Sequence, residues 1–293
     1  MRKQHDNLKD DNRSWLQRHR WLILRRFSQL SIQILFLLGP WFGIWWLKGS
    51  LSANMVLGTI PLTDPFVFTQ LISSGFWPSF DLILGFFIVV FFYLIVGGRV
   101  YCSWVCPVNI VTDAARFLRL KMGIRKSTSI SRNTRYWLLA MILIATAYTG
   151  TLIWELINPV TMVTRGLLYG MGSAWYFLLA IFLYDLFITK NGWCGHLCPM
   201  GATYSLIGKL SLIKINAFAR SKCDDCAECY YVCPEPQILK PVLKGSAESS
   251  TIIQPSECNN CGRCIDVCPE KVFKFSPRFI SQPELILKVE NIE

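Results

Sequence analysis

At 293 residues the chain is long enough for two soluble domains, but 52% hydrophobic residues, 11 Trp, 19 Phe and a mean hydropathy of +0.36 are too apolar for a soluble pair. The formal charge of +11 is concentrated in alternate loops, so it reads as a topology signal and gives little weight to a nucleic-acid partner.

Met1–Arg26 carries eight Lys and Arg, including Arg18, Arg20, Arg25 and Arg26. Four charge-free stretches follow, Phe27–Leu47, Leu82–Gly98, Tyr136–Trp154 and Gly166–Tyr184. A hydrocarbon core about 30 Å thick needs roughly 20 helical residues. The stretches therefore predict membrane spans at about 27–47, 80–98, 136–156 and 168–188. Buried helices of a soluble core fit neither their number nor their length. The first connection, Gly49–Phe80, has no Lys or Arg; the second, Arg99–Arg135, has eight; the third, Leu156–Arg165, has one. This alternation predicts that both termini face the cytoplasm of a bacterial inner membrane protein. A cleaved signal peptide is the competing reading of the first stretch, but its 21 residues exceed a usual apolar core and Lys48 closes it.

Gly49–Phe80 has one charge and is broken by Pro61, Pro65, Ser73, Ser74 and Gly75. It is too interrupted to span, and is expected as an interfacial or re-entrant element, or as a docking surface.

All 12 cysteines lie in four runs ending Cys-Pro. Cys102-Ser-Trp-Val-Cys106-Pro107 and Cys194-Gly-His-Leu-Cys198-Pro199 each follow an even-numbered span, at one expected membrane depth. Each precedes an apolar–basic stretch, Val108–Met122 and Gly201–Ile215, that reads as an interfacial amphipathic helix. The 92 residues between Cys102 and Cys194 suggest a parallel repeat. Cysteines four apart are also ordinary helix packing. The duplication makes Cys102, Cys106, Cys194 and Cys198 candidates for a further iron–sulfur centre.

The last two runs are Cys223-Asp-Asp-Cys226-Ala-Glu-Cys229-Tyr-Tyr-Val-Cys233-Pro234 and Cys258-Asn-Asn-Cys261-Gly-Arg-Cys264-Ile-Asp-Val-Cys268-Pro269. Both match the bacterial C-x2-C-x2-C-x3-C-P pattern, in which the fourth thiolate serves the other cluster. One [4Fe–4S] cluster is assigned to Cys223, Cys226, Cys229 and Cys268, the second to Cys258, Cys261, Cys264 and Cys233. Structural zinc prefers two C-x2-C pairs and is the weaker reading. Cytoplasmic thiols stay reduced, which also favours metal over disulfides. The expected fold class is a membrane all-α domain, with four transmembrane helices in a candidate two-fold parallel repeat, plus a C-terminal two-cluster [4Fe–4S] ferredoxin domain (small α+β). Residues 1–26 form a basic cytoplasmic segment, 27–218 the membrane domain, and 219–293 the ferredoxin-like domain and tail.

The whole chain resembles the NapH family, the ferredoxin-type membrane subunit of periplasmic nitrate reductase systems. The resemblance rests on Leu38-Gly-Pro-Trp-Phe-Gly43, Pro61-Leu-Thr-Asp-Pro65, Cys102-Ser-Trp-Val-Cys-Pro107, Gly150-Thr-Leu-Ile-Trp-Glu155 with Ile157-Asn-Pro159, Gly192-Trp-Cys-Gly-His196 and the two ferredoxin runs. It implies a quinol dehydrogenase component. Such a subunit oxidises membrane quinol and passes electrons, with a partner iron–sulfur protein called NapG, towards periplasmic nitrate reductase. Related ferredoxin-type proteins of methylamine metabolism share the C-x3-C-P architecture. The three histidines, His5, His19 and His196, lie outside the spans, and no C-x-x-C-H occurs, so haem is not expected. Glu155 and Asp185, at the ends of the third and fourth spans, are the weak candidates for a quinol site, with Asp64 and Asp81 bordering the first loop. The alternative to electron delivery is a non-catalytic iron–sulfur membrane protein for redox sensing or maturation.

Overall fold

The computed structural model describes residues 13–279 except 125, 126, 129, 171, 173, 245–249 and 255. Residues 1–12 of the basic N-terminal segment, His5 among them, lie outside the described residues.

The longest helix, Arg20–Phe42, begins seven residues before the expected span and stops where Gly43 turns left-handed, at φ 73°. Its 23 residues reach about 35 Å, enough for a bilayer core. Its buried stripe is Arg25, Gln29, Gln33, Phe36 and Gly39, while Phe27, Leu30, Ile34 and Trp41 are exposed. Polar residues inward and apolar residues outward invert the soluble pattern. Only 28% of its apolar window is buried, so it is not the core helix of a soluble domain.

The other three expected spans are helical but shorter, and each break has a local cause. Phe80–Val96 has 17 residues and ends at Gly97, φ 126°. Thr134–Thr149 ends at Gly150, φ 67°, so 136–156 is a helix followed by the separate turn Ile153–Ile157. The stretch 168–188 divides at Gly170, φ 94°, into the end of Pro159–Tyr169 and the helix Ala174–Leu183 that continues as a π-helical turn Tyr184–Ile188. Among the described residues, one helix is long and apolar enough to cross a membrane alone.

The first connection is a three-stranded antiparallel meander, β1 (Leu47–Gly49), β2 (Ala53–Val56) and β3 (Ile60–Thr63), then a helix Pro65–Ser73. Leu57 and Gly58, at φ 53° and 69°, turn β2 into β3. β3 lies against Phe80–Val96, where a Cβ on Gly85 would stand 2.7 Å from Thr63 Oγ1. The connection is thus inserted among the helices.

Helix Val108–Lys121 forms as expected. The stretch Gly201–Ile215 does not stay helical. Pro199–Gly208 is a helix, and the alternating Ile213 and Ile215 then form β4 (Ile213–Asn216), antiparallel to β5 (Lys274–Pro277). The ferredoxin fold therefore begins six residues before 219. Its core packs Ile215, Leu239, Val242, Ile253, Val272 and Phe273 between the sheet and two short helices, Glu228–Val232 and Arg263–Val267.

Candidate functional site: three cysteine cavities

The two C-x3-C-P runs are built alike. The short helix Val100–Trp104 carries Cys102, and the π turn Trp193–Leu197 carries Cys194. In both, the second cysteine closes a wide turn onto a residue five back: Cys106 N–H donates to Tyr101 O at 3.0 Å, and Cys198 N–H to Trp193 O at 2.9 Å. Pro107 and Pro199 then open the next helix, where a missing N–H costs nothing. Gly98 allows the two halves to touch, since a Cβ there would lie 2.0 Å from Tyr204 O. Cys102, Cys106, Cys194 and Cys198 consequently line one cavity, walled by Tyr101, Trp154, Val160 and Met200. Burial pushes all four thiols up, Cys198 to about 12, so an apolar pocket of neutral thiols would become thiolate through a bound metal centre.

The ferredoxin runs interleave. Cys223, Cys226, Cys229 and Cys268 line one cavity, and Cys233, Cys258, Cys261 and Cys264 another. Cys268 thus lines the cavity of the first run and Cys233 that of the second. Asp225 and Ala227 in the first run, and Asn260 and Gly262 in the second, hold left-handed backbone at φ 57°, 61°, 45° and 71°. These paired reversals point successive cysteines inward. Among the described residues no three Cys, His, Asp or Glu side chains converge as a single-ion site. Four thiols around a cavity suit a multi-iron cluster.

The second ferredoxin run is hydrogen-bonded to the first C-x3-C-P run. Ser103 Oγ donates to Asn259 O at 2.8 Å and Trp104 Nε1 to Asn260 O at 3.1 Å. Buried Arg99 donates to Glu257 O at 2.8 Å and Cys194 O at 3.0 Å, and pairs with Glu235 at 3.5 Å. Arg135 reaches Glu257 at 3.4 Å, and Arg132 reaches Glu235 at 2.9 Å. Nearby, Asp113 is shared by Arg25, Arg26 and Arg263. These arginines were legible only as a topology signal, because nothing in local spacing says that they fold onto a cysteine run.

Glu155 and Asp185 have separate partners, while Asp64 and Glu155 are linked through Ser52, whose O accepts from Asp64 N–H at 2.8 Å. Glu155 accepts from Ser52 Oγ and Asn158 Nδ2, each at 3.0 Å, and so ties the sheet connection to the third loop. Asp185 is buried and accepts from Trp193 N–H at 2.9 Å, bracing the π turn that carries Cys194. Asp64 caps helix Pro65–Ser73 and accepts from Tyr204 Oη at 2.7 Å. Tyr204 stacks on Tyr101, 4.5 Å between centroids, which lines the C-x3-C-P cavity. Sequence reading gave Asp64 no more than a place at the loop edge.

The family described as "4Fe-4S binding domain" matches residues 79–125 and again 171–217, the two C-x3-C-P units, offset by the same 92 residues. The family described as "4Fe-4S dicluster domain" matches 222–272. The chain is 49% identical to the ferredoxin-type protein NapH of Haemophilus influenzae, over 90% of this chain and 92% of that one. The chain belongs to the NapH family of ferredoxin-type proteins. It is 45% identical to NapH of Escherichia coli over 80% of this chain and 82% of that one. Likeness to the methylamine utilization ferredoxin-type protein MauN of Methylorubrum extorquens is equally high, 45% over 81% and 82%. No solved structure matches. This NapH-family chain is an iron–sulfur electron-transfer protein.

Proposed function

We propose that this chain is the membrane subunit that takes electrons from the quinol pool and passes them, with a NapG-like iron–sulfur partner, towards periplasmic nitrate reductase. The observation that carries the reading is the series of joined segments: the first C-x3-C-P run is hydrogen-bonded to the second ferredoxin run through Ser103 and Asn259, and the two ferredoxin cavities are each lined by cysteines of both runs. Clusters held there would supply one-electron transfer. Cys223, Cys226, Cys229 and Cys268 hold the first, Cys258, Cys261, Cys264 and Cys233 the second, and Cys102, Cys106, Cys194 and Cys198 a third. The fit is in the donor sets, four cysteines around each cavity.

Four spans with both termini cytoplasmic suit the surface. Beyond the Arg20–Phe42 helix, Phe87, Phe91, Trp137, Ile144, Trp175 and Leu179 are exposed on the shorter helices, an apolar belt that lipid would cover. The nitrate reductase assignment rests on the NapH relatives. The MauN likeness supports a second destination, a methylamine-oxidising system, served by the same three cavities.

The test has two parts. Anaerobic reconstitution of the full chain should yield about twelve iron atoms, from three cubane clusters; about eight would remove the third. Quinol-dependent electron delivery should then fall equally and severely in Cys102→Ser, Cys194→Ser and the double variant, at normal abundance, because ligands of one centre act as a unit. Near-normal delivery in both single variants would sink the shared centre.

A further inference from the structure

The two ferredoxin runs have one backbone and opposite charge. Aligned on their cysteines, Asp224, Asp225 and Glu228 of the first run correspond to Asn259, Asn260 and Arg263 of the second. Each pair exchanges an acid for a neutral or basic residue. The first two acids are exposed, and all three line the first cavity. Asn259 and Asn260 are buried against the membrane half.

The environment of the second cavity extends the contrast. Its acids are already matched: Glu235 by Arg99 and Arg132, Glu257 by Arg135, Asp113 by Arg26 and Arg263. Arg25 and Arg116 also act on Asp113, so four guanidiniums face that one carboxylate. Arg25 is fully buried, and its Nε, Nη1 and Nη2 make no hydrogen bond; its approach to Asp113 is 3.7 Å, to a carboxylate already shared by two guanidiniums. Arg116 is 6% exposed, donates one amine to Tyr231 O, and leaves Nη1 buried without a partner. Both guanidiniums act electrostatically on Cys261, and Arg116 on Cys233 as well. Buried positive charge in excess of its counter-charge is costly. A cluster on Cys233, Cys258, Cys261 and Cys264 carries two negative charges when oxidised and three when reduced, and so supplies that counter-charge.

We propose that this arginine cage makes the second ferredoxin site the electron sink of the domain: it accepts an electron at a more positive potential than the first site. The inference rests on the reading that the eight cysteines hold two clusters. In the step, one electron from the quinol pool, or from dithionite in the test, adds to one cluster; no bond breaks. Two effects compete. Burial of the second site disfavours the more negative reduced state, while fixed cations favour it. Cations win because the same low dielectric that penalises the added charge strengthens each nearby guanidinium, and that positive charge is already in place. The exposed acids of the first site oppose reduction there and are weakened by water and salt. The order places the resting electron beside the C-x3-C-P cavity, and leaves the exposed first site as the port for exchange with a soluble partner.

The full chain, purified anaerobically and reconstituted, is titrated with dithionite and followed by electron paramagnetic resonance. Cys226→Ala and Cys261→Ala assign the two signals. The second site should reduce first. Arg116→Gln should lower the second site's reduction equilibrium about tenfold, about 59 mV for one electron, with Arg116→Lys restoring it and the first site unmoved. Should Arg116→Gln fail to fold, the triple change Asp224→Asn, Asp225→Asn, Glu228→Arg gives the first run the charge of the second and should narrow the gap from the other side. Both signals present with the first site reducing first overturns the ordering alone, as does a gap that neither set of variants changes. Protein without iron for two clusters overturns the ligation reading and the ordering with it.

Discussion

The two ferredoxin runs place their cysteines with the same left-handed turns, yet one faces solvent and the other is the joint of the molecule. In the first, Asp224, Asp225 and Ala227 are exposed. In the second, Asn259, Asn260 and Gly262 are buried, with side chains and carbonyls bonded to Ser103, Trp104, Val96 and Ile213. The lesson is that a metal-binding motif fixes its own backbone, while the non-cysteine positions between the ligands record what the motif docks against.

The largest expected effect comes from the charge that anchors this joint. Asp113→Asn leaves Arg25, Arg26 and Arg263 facing one another in a buried site and should cost about 3–5 kcal/mol. Asp224→Asn, at the exposed run, should change stability by less than about 0.5 kcal/mol. Denaturant unfolding of the purified variants in detergent measures both. Equal losses would break the comparison.

Next come the matched left-handed positions. Gly262→Ala adds the left-handed penalty and sets a Cβ 2.5 Å from Trp21 Cγ, for a loss of about 2–3 kcal/mol. Ala227→Gly, at φ 61°, removes the same penalty and should stabilise by about 1 kcal/mol. Thermal unfolding should shift in opposite directions for the two variants; shifts of the same sign would show that the loops are not equivalent.

The smallest effect sharpens the contact itself. Ser103→Ala removes the hydroxyl that donates to Asn259 O and leaves a buried carbonyl short of a donor, costing about 1 kcal/mol. Hydrogen exchange across residues 256–262 should quicken while exchange across 223–229 stays as it was. Unchanged exchange in 256–262 would remove Ser103 from the joint.

Much of the site was legible in the sequence. Ligand spacing is local: Cys-x2-Cys-x2-Cys suits one face of a cluster, and Cys233 and Cys268 each line the cavity of the other run. The repeat was legible too, because the same wide turn at Tyr101–Cys106 and Trp193–Cys198 needs the same Cys-Pro ending. Helix length was less legible. Apolar runs continue through Gly150 and Gly170, but those glycines sit at positive φ and end or divide the helices. Hydropathy has no term for that.

What the sequence determined by itself was the chemistry of each motif and the apolar character of its surroundings, since both depend on residues a few positions apart. Tertiary structure decided which motifs meet. Arg25 and Arg116 read only as part of the topology charge, yet both act electrostatically on the Cys233–Cys261 site, more than 110 residues away in the chain. The physical reason is range: thiolate geometry is set by bonds and turns, whereas charge acts through space and waits on the fold to bring it near.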